Sequence, residues 1–260
     1  MPNWKFTISY DGTNYHGWQV QPDEPTVQGT IQDKLSLLFD RDVKIVGASR
    51  TDAGVHAKGQ VASVELPDKF TPEELRYRLD KMLPADIAIK KIEPAADDFS
   101  ARFSAVEKLY EFRIIDHKEP RERNFASTIE RELDMDILNS LSSIIIGKHD
   151  FSAFTIKRDT PDNPICEISS ARWDKTRGFT RFSIRGNRFL HKMVRALVGA
   201  MLDCERGRFS KNNFASMIER GQRLFDYRIA GPQGLWLIEV YYGAKPLKGL
   251  RGKVLESTHQ

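Results

Sequence analysis

Two cysteines are all that the 260 residues contain, and Cys166 and Cys204 stand 38 positions apart. That spacing excludes a CxxC redox or metal motif, so both are expected to be reduced and buried or incidental. Long apolar runs are missing as well. None exceeds about four residues, far short of the ~18 that a membrane-spanning helix needs. The opening MPNWKFTISY has no basic stretch followed by an apolar one, so no secretory signal is expected and a cytoplasmic home is the default. Neither a metal-ligand spacing nor a glycine-rich phosphate loop is present. What remains is ordinary for a folded protein: 40% hydrophobic and 29% charged residues exclude disorder, collagen and low complexity, and the length suits roughly two domains or one large one.

Charge of one sign is also in short supply overall, with 40 Lys+Arg against 36 Asp+Glu and a net of +4. The distribution is uneven. Residues 1–175 sum to −6, whereas residues 176–228 carry 12 basic against 4 acidic side chains, a net of +8. Such a segment suits a phosphate-rich partner, although a solvated helical face reads the same way from charge alone.

Hydrophobic periodicity gives one element order twice. Trp4 to Tyr10 alternates as a half-buried strand and ends at the turn residues Asp11-Gly12-Thr13-Asn14. A helix follows with Val27, Ile31, Leu35 and Leu38 on one face, then short strands at Val43 to Val46 and Gln60 to Leu66. Thr71-Pro72-Glu73-Glu74 has the pattern of a capping box with proline at the first helical position, and Ile87, Ile89 and Ile92 mark a closing strand. Beyond Ala105 come a strand at Val106 to Ile115, a helix at about Asp134 to Gly147, and a hairpin of Ile168 to Trp173 with Phe179 to Ile184. Helices at Leu190 to Leu202 and Lys211 to Gln222 precede a last strand, Leu235 to Tyr242. The class is therefore α+β. Two ferredoxin-like β-α-β-β-α-β halves with mainly antiparallel sheets are expected, at residues 1–105 and 106–244, with a flexible basic tail at 245–260.

The chemistry concentrates in Gly47 to Ala57, between two strands. There Arg50, Asp52 and His56 share a loop in which Gly54 can adopt positive φ. Asp52 held on such a loop can serve as nucleophile or base, and a plain turn with the aspartate bonding its own backbone is the bland alternative. Only one carboxylate lies in the loop, so the paired acids of most glycoside hydrolases are not evident. His56 lacks a partner at metal-ligand spacing and is expected to be structural.

Ser49-Arg50-Thr51-Asp52-Ala53-Gly54-Val55-His56-Ala57 resembles the active-site motif of the TruA family of tRNA pseudouridine synthases. The likeness continues through Tyr10-Asp11-Gly12-Thr13, Tyr15-His16-Gly17-Trp18-Gln19 and Thr26-Val27-Gln28-Gly29. Further on it includes Ala101-Arg102-Phe103-Ser104-Ala105 with Tyr110, His149 to Phe154, Phe189 to Arg195, and Gly234-Leu235 with Val240 and Tyr242. The resemblance implies a pseudouridine synthase fold and isomerisation of uridine to pseudouridine in the anticodon stem-loop of tRNA, at positions 38 to 40. No redox cofactor or metal is implied. A homodimer is, with the RNA stem crossing both subunits.

By the same resemblance Asp52 matches the catalytic aspartate, attacking ribose C1′ or removing a ribose proton. Tyr110 matches the active-site tyrosine, stacking on the target uracil with its hydroxyl available for proton transfer at C5. Burial alone would push a carboxylate toward its neutral form, so a cation is expected beside Asp52, and Arg195 is the candidate. Arg50 is expected to contact the RNA backbone or fill the gap left by an extruded base. Read without the family, Tyr110 is a core tyrosine and Arg195 the exposed edge of a helix. Ser49 stands where a glycine is common and Ser100 where a histidine is common, and neither is expected to matter to the chemistry. Arg185 and Arg188 are additions, and the approach from Arg228 to Gln233 is short. A ferredoxin-like RNA-binding module without catalysis is the alternative function.

Overall fold

The computed structural model describes residues 1–156 and 159–243, so the tail expected at 245–260 lies outside the described residues. Strict alternation puts Trp4, Phe6, Ile8 and Tyr10 on the buried side of β1 (Asn3–Tyr10). The first helix, α1 (Val27–Phe39), opens on Thr26, whose side chain accepts from the Gly29 amide. Its buried positions are Val27, Ile31, Leu35 and Phe39. A spacing of four carries the stripe onto Phe39, and Leu38, expected on that face, is only part-buried.

The next strand, β2 (Val46–Gly47), is shorter than the expected Val43 to Val46. Val43 and Ile45 are buried, but their amides donate to Ser36 Oγ at 3.0 Å and Gln32 Oε1 at 3.0 Å. Helix side chains thus take the hydrogen bonds that a strand ladder would have used. β3 (His56–Glu65) follows, and then α2 (Pro72–Met82), where the Thr71–Glu74 capping box forms in both directions. β4 (Ile87–Ala95) closes this group.

The remaining elements are β5 (Ala105–Ile115), β6 (Ser127–Thr128), α3 (Met135–Ile144), β7 (Gly147–Asp150), β8 (Ile165–Thr176) and β9 (Phe179–Gly186). They continue with α4 (Met193–Glu205), α5 (Lys211–Arg220) and β10 (Leu235–Tyr242). The helix expected from Leu190 begins three residues later. Lys192 has a φ of +59°, a left-handed conformation that turns the chain immediately before α4.

The strands make one ten-stranded sheet with the main order β4-β1-β3-β10-β5-β9-β8-β7. Within it β4-β1-β3, with β2 on the free end of β3, and β10-β5-β9-β8 each have the strand order of a ferredoxin-like unit. The separate sheets expected from the element order are therefore continuous. The join is a short parallel pairing, Trp236 with His56 and Leu237 with Ala57, in an otherwise mainly antiparallel sheet. Helix α2 packs on β4, α3 on β8, and α4 against α3, α5 and β5. Along β5, Lys108, Tyr110, Phe112 and Ile114 are buried, while Glu107 and Glu111 on the alternate positions pair with Arg185 and Arg181 of β9.

Gly59 makes the join possible, because a Cβ there would stand 2.3 Å from the Ile238 carbonyl oxygen. Backbone cannot yield as a flexible side chain does. Gly59→Ala is therefore expected to destabilise the fold by about 1–3 kcal/mol, read as a lower midpoint in urea. An unchanged midpoint would mean that β10 can shift off β3 without loss.

Candidate active site

The loop from Gly47 to Val55 is tied down residue by residue. The Ala48 amide donates to the Val61 carbonyl at 2.8 Å, and Thr51 O accepts from the Trp18 amide at 3.1 Å. Gln60, fully buried, clamps Ser49: its Nε2 donates to Ser49 O at 2.7 Å and its Oε1 accepts from Ser49 N at 3.3 Å. Thr51 Oγ1 lies 2.8 Å from the Tyr10 hydroxyl, in surroundings that push the Tyr10 phenol upward by burial. Gly54 has a φ of +75°, the conformation expected from the sequence, and its amide donates to Tyr15 O at 3.2 Å.

This scaffold presents Asp52 toward α4, where Arg195 Nη1 donates to Asp52 Oδ2 at 2.8 Å. Both side chains are largely buried, at 12% exposed for Arg195 and 17% for Asp52, which makes the pair a desolvated one. Arg195 Nε donates in turn to the Ala230 carbonyl at 2.8 Å, and the Ala230 amide donates back to Arg195 O at 3.1 Å. The guanidinium is thus aimed by a second contact. Gly199, one turn along α4, lets this segment lie close, since a Cβ there would meet Arg228 O at 1.6 Å.

Tyr110 completes the cluster from β5. Its ring is buried, edge-on to Phe189 at 5.2 Å between centroids, and its hydroxyl is 2.8 Å from Ser49 Oγ. Burial pushes the phenol up to about 12, the Asp52 charge adds to the rise and the Ser49 hydrogen bond opposes it. The phenol therefore stays protonated at neutral pH.

Three of the four expected site residues come together, then, from a loop, a strand and a helix far apart in the chain. Arg50 does not join them. It is exposed, with Nη1 donating to Gln19 Oε1 at 3.2 Å. His56, expected to be structural, is fully buried, stacked on Trp236 at 4.4 Å, with Nδ1 accepting from the Gly12 amide at 3.1 Å. Burial holds its imidazole toward the neutral form. His191 was given no role by the sequence, yet its Nε2 lies 3.4 Å from Asp52 Oδ1 and its Nδ1 2.8 Å from Asp159 Oδ2. Only its position four residues before Arg195, in the same motif, hinted at it. Both cysteines are free and buried, and burial pushes the Cys166 thiol up to about 11. Among the described residues, no group of three His, Cys, Asp or Glu side chains is placed to hold a metal ion, and no helix is long and apolar enough to cross a membrane.

Residues 7–104 and 142–243 match the family model described as tRNA pseudouridine synthase. The chain is 39% identical over 241 residues to a tRNA pseudouridine synthase A of Chlorobaculum tepidum, covering 92% of this chain and 97% of that protein. It is 36% identical over 244 residues to the tRNA pseudouridine synthase A of Acetivibrio thermocellus, covering 93% and 100%. A likeness to the crystal structure of a Cbf5-Nop10-Gar1 complex, at a TM-score of 0.31 and 10% identity over 75% of this chain and 52% of the other, is too loose to bear on the fold.

Gln60 supports the Ser49 backbone from inside, and Gln60→Leu would take the side-chain partners from that part-buried amide and carbonyl. The expected result is a loss of about 1–3 kcal/mol in urea unfolding, because stranded polar groups keep their full desolvation penalty. Wild-type stability in this variant would show that the loop finds other partners.

Proposed function

The chain belongs to the tRNA pseudouridine synthase family and is an isomerase that makes pseudouridine in tRNA; we propose that it acts in the anticodon stem-loop, at positions 38 to 40, through Asp52. The observation that supports the role of Asp52 is its meeting with Arg195 across 143 residues of sequence, beside the buried Tyr110. Arg195 sets a positive charge 2.8 Å from the Asp52 carboxylate, where both side chains are largely buried. An ionised carboxylate is what either route requires. Asp52 attacks ribose C1′ to form a glycosyl ester, or it removes the C2′ proton to leave a glycal, and in both the C1′–N1 bond breaks.

The freed uracil then turns and C5 bonds to C1′, displacing Asp52 from the ester or, in the glycal route, as C2′ takes back its proton from Asp52. A proton leaves C5 and another arrives at N1, so atoms and charge balance with no oxidant or hydrolysis. Tyr110 stacks on the base and receives the C5 proton. Stacking is worth about 1–3 kcal/mol, comparable to the few kcal/mol needed to extrude a nucleotide. Arg50, exposed on the loop, contacts the backbone or occupies the gap that the base leaves. The reading includes a cytoplasmic homodimer with the RNA stem crossing both subunits.

Mapping pseudouridine in tRNA incubated with the protein tests reaction and position together. New pseudouridine confined to positions 38 to 40 is expected, and unmodified tRNA would favour a binding module without catalysis. Asp52→Ala is expected to bind tRNA and form no product, while appreciable turnover would remove Asp52 from the chemistry. Deuterium at C2′ gives a primary isotope effect only if the glycal route is followed, the ester route giving no more than a small secondary one. Tyr110→Phe retains the ring and is expected to lower kcat by roughly 10²-fold or more with little change in KM. Wild-type turnover would leave stacking as its role.

A further inference from the structure

A proton that reaches Tyr110 needs somewhere to go. The ring is 5% exposed, its phenol is held protonated by burial, and at neutral pH its oxygen already carries a proton. Taking a second is unfavourable unless the first is passed on. The partner placed for this is Ser49, whose Oγ lies 2.8 Å from the phenol oxygen.

Ser49 is held there with little freedom. Gln60 grips both its amide and its carbonyl, the preceding Ala48 amide is bonded to Val61, and Gln60 itself is fully buried. Yet the residue is only half-buried, in contrast to Tyr110, and the hydrogen bond between their hydroxyls is part-buried. The hydroxyl can donate and accept at once, which a glycine or alanine at this place could not do. Of the influences on the phenol, the Ser49 hydrogen bond acts against those of burial and the Asp52 charge.

We propose that Ser49 is a positioning residue for the last proton transfer, orienting the Tyr110 hydroxyl and relaying its proton to water. This rests on the reading of Tyr110 as the acceptor of the C5 proton. In the step, the C5–H pair becomes the C5–C6 double bond and the C6–N1 π pair moves to N1, which takes a proton from water. The C5 proton joins the Tyr110 oxygen as the phenol proton passes to Ser49 Oγ, and the Ser49 proton leaves to a second water.

The test uses the full chain and tRNA carrying uridine deuterated at C5. Ser49→Ala is expected to lower kcat by up to about tenfold, the worth of one neutral hydrogen bond, without changing KM. It should also show a larger kinetic isotope effect than wild type, because C5 deprotonation becomes slower. Ser49→Thr keeps the hydroxyl and should return both values toward wild type. A merely structural Ser49 would not change the isotope effect. If Tyr110→Phe raises the isotope effect and Ser49→Ala does not, the proposal for Ser49 fails alone. If neither variant raises it, the reading of Tyr110 fails and the relay with it.

Discussion

The hydrogen-bonded ion pair between Asp52 and Arg195 is the constraint to which the rest of the site answers. Two charges removed from water are tolerable only when paired with good geometry, and deleting one of a buried pair leaves the other stranded. Every element around the pair therefore has a placement to keep. The 47–55 loop is pinned by Trp18, Gln60 and Tyr10, and α4 is pinned to Ala230 through both backbone and guanidinium. Gly199 and the turn at Lys192 set the depth and direction of the helix that delivers the arginine. Nothing in this requires a large pocket. Three segments need only be held to within hydrogen-bond tolerance.

Much of this was legible in the chain because its causes are local. A capping box, a strand alternation and a glycine turned to positive φ each depend on a few consecutive residues, and Thr71, β1 and Gly54 behave accordingly. The short β2 was not legible, since its competitors for hydrogen bonds, Gln32 and Ser36, lie on a helix. Asp52 stood out in its loop, Tyr110 and Arg195 were singled out by resemblance to a family, and periodicity alone offered no reason to bring the three together. His191 and Ser49 show the limit most clearly. One was quoted inside a motif and the other dismissed as a departure, and their neighbours, Asp52 and Tyr110, come from remote parts of the chain.

Charge was legible as arithmetic and less so as surface. The +8 segment at 176–228 looked like a ready contact for phosphates. Among the described residues five of its arginines, Arg181, Arg185, Arg195, Arg208 and Arg223, pair with Glu111, Glu107, Asp52, Asp203 and Asp226. Arg181 and Arg185 lie opposite Arg113 and Leu109 of β5 and reach diagonally to Glu111 and Glu107, so these cross-strand ion pairs knit strands rather than attracting a polyanion. Local basicity thus overstates the positive field available to a partner, just as the modest total understates how unevenly the charge is placed.

The central place of β10 has a consequence for how the molecule comes into being. It is the last strand in the described chain, yet it lies between β3 and β5, and without it the sheet has two raw edges instead of a join. During synthesis Asp52 emerges early and its arginine late, and the strand that locks their two neighbourhoods together emerges later still. Until then the Asp52 carboxylate belongs to an unfinished sheet. The order of synthesis thus delays assembly of the site until nearly all the described chain has left the ribosome.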